Sequence, residues 1–115
     1  MQKSPIVYLE LPSNNVAACK QFYQSLFGWS FRDFGPNYAE FSNSGLTGGL
    51  NGSGPEEGQS KAPLAVIDTG DLVAMEKRVV AAGGRITLPI FAFPGGRRFH
   101  FTDPSGNELA VMQRE

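Results

Sequence analysis

His100 is the chain's single histidine, and imidazole is the side chain whose ordinary pKa suits proton transfer near neutral pH. It stands in Arg98-Phe99-His100-Phe101-Thr102. Period-2 alternation groups it with Arg98 and Thr102 on one strand face, opposite Phe99 and Phe101. Either face can turn inward, so acid–base chemistry competes with a polar place in a pocket wall. Arg97 and Arg98 carry the fork that grips a carboxylate or phosphate through paired hydrogen bonds, and a solvated rim is their plainer role. Trp29, Tyr38, Phe91, Phe93 and Phe99 offer flat surfaces to a planar ligand, or simply fill core. Glu10 shares a face of the first expected strand with Tyr8, and Glu108 shares one with Ala110. An exposed glutamate near a strand end is the alternative for both. With one histidine, and no glycine cluster opening a helix after a strand, no Ser-His-Asp set, Walker loop or dinucleotide fingerprint stands out.

Short strands and two helices must hold these groups. Residues 98–102 and 108–113 alternate on either side of Asp103-Pro104-Ser105-Gly106-Asn107, which reads as a closing hairpin with Pro104 fixing φ and Gly106 supplying any positive φ. Residues 6–11 form a first strand ending in the capping cluster Pro12-Ser13-Asn14-Asn15. Val16, Cys19, Phe22, Tyr23 and Leu26 recur at spacings of three and four, a helical stripe that would pack on a sheet and end at Gly28. Trp29, Phe31 and Phe34 mark a return strand, residues 38–43 a third, and 46–50 with the Gly48-Gly49 pair a short fourth. The stretch 51–61 is rich in Gly, Ser, Glu and Pro and reads as exposed linker.

The pattern then restarts. Residues 64–67 form a strand, Asp71 caps a helix with the stripe Leu72, Met75, Val79 and Ala82, and Gly83-Gly84 closes it. Residues 86–93 form a strand in which Pro89 implies an edge or a bulge. Sliding the chain by 56 positions sets Asn15 on Asp71, Val16 on Leu72, Cys19 on Met75 and Gly28 on Gly84. An internal repeat of this kind decides architecture. The expected class is α+β, with two βαβββ modules at about 5–51 and 62–113, a linker at 52–61, and a curved mixed sheet leaving a concave cleft.

The 115 residues and 41% hydrophobic content suit an ordinary core. Ten basic residues against eleven acidic ones, without long like-charged runs, give nucleic acid and anionic membranes no electrostatic footprint. Cys19 is the only cysteine, so no internal disulfide forms. No signal-peptide core follows Met1, and no apolar run reaches the roughly 18 residues of a span. A cytoplasmic protein is expected.

Phe22-Tyr23-Gln24-Ser25-Leu26-Phe27-Gly28-Trp29, Ala81-Ala82-Gly83-Gly84 and Asp103-Pro104-Ser105-Gly106-Asn107, in this order, resemble the vicinal-oxygen-chelate superfamily of glyoxalase I, bleomycin-resistance proteins and extradiol dioxygenases. The resemblance covers nearly the whole chain, and its motifs are structural: helix aromatics in the core, glycines ending helices, a turn closing the last hairpin. It implies that faces bearing Tyr8, Glu10 and Glu108 meet in the cleft. With Tyr38, Arg98 and His100 these are the candidate ligand-binding residues. It also implies where metal ligands would stand, and there the chain departs from it. The first-strand histidine falls at Tyr8, the last-strand glutamate at Ala110, and the repeat partner of Tyr8 at Leu64. An ion needs about three protein groups to be held tightly, so no metal and no cofactor is expected. The implied function is uptake of a small, aromatic or antibiotic-like ligand in a homodimer. The alternative is a metal-dependent lyase, isomerase or dioxygenase.

Overall fold

The structure is a computed structural model that describes residues 3–53 and 61–115; residues 54–60 of the expected linker lie outside the described residues. Ten elements follow one another as β1 (Ile6–Pro12), α1 (Val16–Phe27), β2 (Ser30–Asp33), β3 (Tyr38–Ser42), β4 (Gly48–Asn51), β5 (Leu64–Asp68), α2 (Leu72–Ala81), β6 (Arg85–Phe93), β7 (Gly96–Thr102) and β8 (Glu108–Arg114). This is strand, helix and three strands, twice, in an α+β fold. The chain divides into one compact unit spanning residues 8–64 and another comprising 65–115 with the residues before 8.

In the 8–64 unit the strand order is β2-β3-β4-β1, with β1 parallel to β4 and the other neighbours antiparallel. In the 65–115 unit the order β6-β7-β8-β5 repeats that arrangement, with β5 parallel to β8. The repeat holds closely at the helix starts. Asn15 accepts from the Ala18 N–H at 3.0 Å and Asp71 from the Ala74 N–H at 3.1 Å, each satisfying one donor that a first turn leaves open. At the helix ends it slips by one. Gly28 caps α1 in the left-handed conformation at φ 71°, whereas α2 stops two residues earlier in the repeat, is capped by Ala82 in the right-handed conformation, and takes its left-handed residue one position later at Gly83, φ 100°, and not at Gly84. Gly84 answers a different need: a Cβ there would lie 2.6 Å from Val79 Cγ1.

The two cores differ. Around α2, fully buried Leu72, Phe99 and Val111 form a cluster joined by Ile67, Met75, Val79, Ile86, Ile90 and Phe101. Leu72, Phe99 and Val111 each contribute roughly 1.5–3 kcal/mol on leaving water. In the other unit Ala39, Phe41 and Leu50 are buried, and Tyr23, Trp29 and Phe41 stack in succession at 4.6 and 4.7 Å. The expected α1 stripe is only half packed. Val16, Cys19 and Tyr23 are partly covered, whereas Phe22 and Leu26 are 54% and 60% exposed, so the helix aromatics do not all fill core.

Pro89 meets both of its expectations, since β6 is the outer strand in its sheet order and its pairing with β7 shifts register between Leu88 and Phe91. Gly106 takes φ 87° in the closing turn. Among the described residues no helix is long and apolar enough to cross a membrane.

Candidate functional site

The 8–64 unit builds a polar cluster on the sheet face away from Phe41. Alternation along β3 sends Ala39 and Phe41 to one side and Tyr38 and Glu40 to the other. Tyr38 pairs in register with Asn51, and its ring lies over Gly49 of β4: a Cβ at Gly49 would stand 2.6 Å from Tyr38 Cε1. Gly48 does the same on the opposite face, where a Cβ would stand 2.8 Å from Phe41 Cε1. The Gly48-Gly49 pair therefore makes room for one β3 ring on each face of β4, a use that explains glycine inside a strand.

By crossing Gly49, Tyr38 reaches β1. Its hydroxyl donates to Glu10 Oε2 at 3.1 Å and lies 2.6 Å from the Tyr8 hydroxyl. Asn51 Nδ2 donates to Glu10 Oε1 at 3.0 Å. Glu10 is only 7% exposed. A carboxylate this buried needs such donors, and two of them come from β3 and β4 of the same unit. Burial holds the Tyr38 phenol well above its ordinary pKa, and the Glu10 carboxylate and the Tyr8 hydroxyl push it further the same way.

The 65–115 unit settles which way the 98–102 strand faces. Phe99 packs with Leu72 of α2 and Val111 of β8, so Arg98 and His100 occupy the face away from the helix. His100 is still buried, at 5% exposure. Its Nδ1 lies 3.4 Å from Glu108 Oε2, and Thr87 Oγ1 donates to the same carboxylate oxygen at 3.0 Å. The Arg98 guanidinium lies over Phe91 and Phe93, 5.4 and 5.6 Å from their centroids, and Phe91 lies 5.7 Å from the His100 ring. Two aromatic faces thus hold a cation beside the His100 ring.

Of the expected site residues, the structure brings Tyr8, Glu10 and Tyr38 together in one unit and Arg98, His100 and Glu108 together in the other. Glu10 and Glu108 are not the exposed strand-end carboxylates of the alternative reading; the Glu108 side chain is 5% exposed. Arg97 takes the rim role, pairing with Glu115 at 2.6 Å. Trp29 and Phe99 are core rather than ligand platforms. Sequence reasoning missed Asn51, grouped with the polar linker stretch, and Thr87. It also missed what Gly49 does. The signal was available in a glycine pair facing an alternating Tyr-x-x-Phe strand.

A family model described as the Glyoxalase/Bleomycin resistance protein/Dioxygenase superfamily matches residues 6–111. CFP32 of Mycobacterium tuberculosis (strain CDC 1551 / Oshkosh), which carries a glyoxylase name, is 29% identical over 115 residues, covering 92% of this chain and 44% of its own. Anthracycline biosynthesis protein DauV of Streptomyces sp. (strain C5) is 32% identical over 126 residues, covering 93% of this chain and 46% of its own. The chain spans less than half the length of these two curated relatives. The crystal structure of a glyoxalase/bleomycin resistance protein/dioxygenase superfamily member from Vibrio splendidus 12B01 aligns with a TM-score of 0.71 at 16% identity, covering 96% of this chain and 99% of that one.

Proposed function

The chain belongs to the Glyoxalase/Bleomycin resistance protein/Dioxygenase superfamily, and from that premise we propose that it takes up a small organic ligand without a metal ion. The ligand-binding groups are Tyr8, Glu10 and Tyr38 in one unit and Arg98, His100 and Glu108 in the other. The observation that carries this reading is the state of the positions where the resemblance sets metal ligands. The Tyr8 hydroxyl is engaged with Tyr38, Ala110 is fully buried and has no donor atom, and Leu64 has none either. Among the described residues no group of three or more His, Cys, Asp or Glu could hold an ion. The residues present do not fit a divalent ion at those positions.

A planar aromatic ligand suits the flat faces of Phe91 and Phe93 beside Arg98, and the anthracycline-biosynthesis name of one relative points to the same class. Two measurements test the reading. The first is elemental analysis after loading with Ni, Zn, Fe or Mn and dialysis against chelator. Below about a tenth of an ion per chain is expected, with no glyoxalase or ring-cleaving activity, and about one tightly held ion overturns the reading. The second is a thermal-shift screen of anthraquinones and anthracyclines. A true ligand at about 100 times its Kd adds roughly 2.7 kcal/mol.

The same reading includes a homodimer. Phe22, Leu26 and Phe27 of α1 are 54%, 60% and 60% exposed, and Phe22 and Leu26 stand one helical turn apart, apolar surface that a second copy would cover. Light scattering at roughly tens of micromolar should give twice the chain mass, since a standard-sized interface stays closed there. A monomer would sink this part.

A further inference from the structure

We infer that Asn51-Gly52 is a deamidation site which strand pairing in the 8–64 unit holds closed, and that its conversion dismantles the polar cluster around Glu10. The cluster's part in ligand uptake rests on the binding reading above, whereas the modification itself does not. This is the chain's one Asn-Gly pair. Glycine after asparagine removes the side chain that would otherwise crowd the backbone nitrogen as it approaches the carboxamide. The fold calls for both residues. Asn51 Nδ2 donates to Glu10 Oε1 at 3.0 Å, and a Cβ at Gly52 would lie 3.0 Å from both Asn37 O and Val16 Cγ2.

The reaction is a ring closure. The Gly52 amide gives its proton to hydroxide, and its nitrogen attacks Asn51 Cγ. The new N–Cγ bond forms, the Cγ–Nδ2 bond breaks, and Nδ2 takes a proton from water and leaves as ammonia. Water then opens the five-membered imide at either carbonyl, leaving aspartate or isoaspartate. In the folded chain the nucleophile is engaged, since the Gly52 N–H donates to Asn37 O at 2.7 Å. On the other side of β4 the Ser13 N–H donates to Asn51 O at 2.9 Å, so the reacting pair is gripped from both flanks. The carboxamide is held as well, with Nδ2 on Glu10 and Oδ1 accepting from the Ser53 N–H at 2.9 Å. Conversion therefore waits for the end of β4 to part from its neighbours, a local opening whose population sets the rate.

Either product takes the Nδ2 donor away from Glu10 and sets a second carboxyl group beside it. Isoaspartate also adds a methylene to the backbone of β4, which breaks the pairing of position 51 with Tyr38. No step of the chain's own chemistry restores the amide, so the change is one-way.

Two rates on the wild-type protein test the closure. Deamidation in mildly alkaline buffer is followed by peptide mapping, which resolves aspartate from isoaspartate at position 51, in the folded chain and in the chain unfolded by guanidinium. Exchange of the Gly52 amide in D2O is followed by NMR on the folded chain. Folding should slow deamidation at least about ten-fold, and the Gly52 amide should be protected by the same factor within about three-fold, because both reactions remove that proton from the same opened state. Equal rates in the folded and unfolded chains overturn the inference, as does slow deamidation beside an unprotected Gly52 amide. No product from the folded chain supports it only where Gly52 is equally strongly protected, and overturns it otherwise. Anion exchange then separates the converted chains by their added charge. Their urea midpoint should fall and the Tyr38 ring resonances of ¹³C-tyrosine-labelled protein should shift, with Asn51→Asp reproducing the aspartate fraction; an unchanged midpoint and unchanged resonances overturn the claim on the cluster. Every readout is taken on ligand-free protein, so a failure of the binding reading leaves them unmoved.

Discussion

Gly49→Ala should cost this protein stability through a single contact. An added Cβ would stand 2.6 Å from Tyr38 Cε1, and closer still to its Cζ and Oη. Carbon atoms settle at about 3.5–4.0 Å, so the ring must withdraw by roughly 1 Å. The Tyr38–Glu10 bond at 3.1 Å is already long for O–H···O and does not survive such a shift. Overpacking costs about 1–3 kcal/mol and loss of the Tyr38 donor to Glu10 about 1–3 more, while losing a strand glycine returns roughly 0.5–1, for a net loss of about 1–5.5 kcal/mol. Urea denaturation with an unchanged m value would measure it. The decisive comparison is with the Tyr38→Ala background, where the ring is gone and the new Cβ has space. There Gly49→Ala should be neutral or stabilising by about 0.5–1 kcal/mol, giving a coupling of at least about 1 kcal/mol. An equal loss in both backgrounds would refute the reasoning.

Gly106→Ala should destabilise by more than about 1 kcal/mol. Its φ is 87° and a Cβ there would touch nothing within 4 Å, so the loss is backbone strain alone; an unchanged melting curve would remove the left-handed turn residue from the account. The Asp103 carboxyl is held below its ordinary value of 3.8, first by the Asn107 side chain and then by the Asn107 backbone N–H. A depressed folded pKa contributes stability above the ordinary value that is lost as pH falls through the folded one. The Ser105 and Asn107 amide resonances should therefore titrate with a midpoint below 3.8. The Tyr38 phenol has the opposite sign, its raised folded pKa contributing stability that is present below the ordinary value of 10.0 and lost as pH rises. Tyrosinate absorbance should leave at least one of the three tyrosines silent until alkaline unfolding. All three ionising in the folded protein would contradict its burial beside Glu10.

What the sequence by itself determined is whatever one segment decides alone. Asn15 and Asp71 cap their helices because a short polar side chain beside an open N–H acts within four residues. Gly28 and Gly106 take positive φ because local backbone demands it, and alternation in residues 98–102 separates Phe99 from His100 without any partner. The doubled strand-helix-strands pattern was legible for the same reason. Even so, the second helix ends at Ala81 and its left-handed glycine is Gly83, not Gly84, since helix length depends on packing as well as on where a glycine stands. Tertiary structure decided which face of 98–102 meets a helix. It also decided that Phe22 and Leu26 stay exposed while Tyr23 stacks on Trp29, and that Arg97 goes to Glu115 while Arg98 lies over Phe91 and Phe93. Above all it decided the polar cluster of the 8–64 unit. Tyr8, Glu10, Tyr38 and Asn51 come from three strands separated by up to 43 residues of sequence, and a hydrogen bond of about 3 Å depends on register across the sheet, which no periodicity within one strand records.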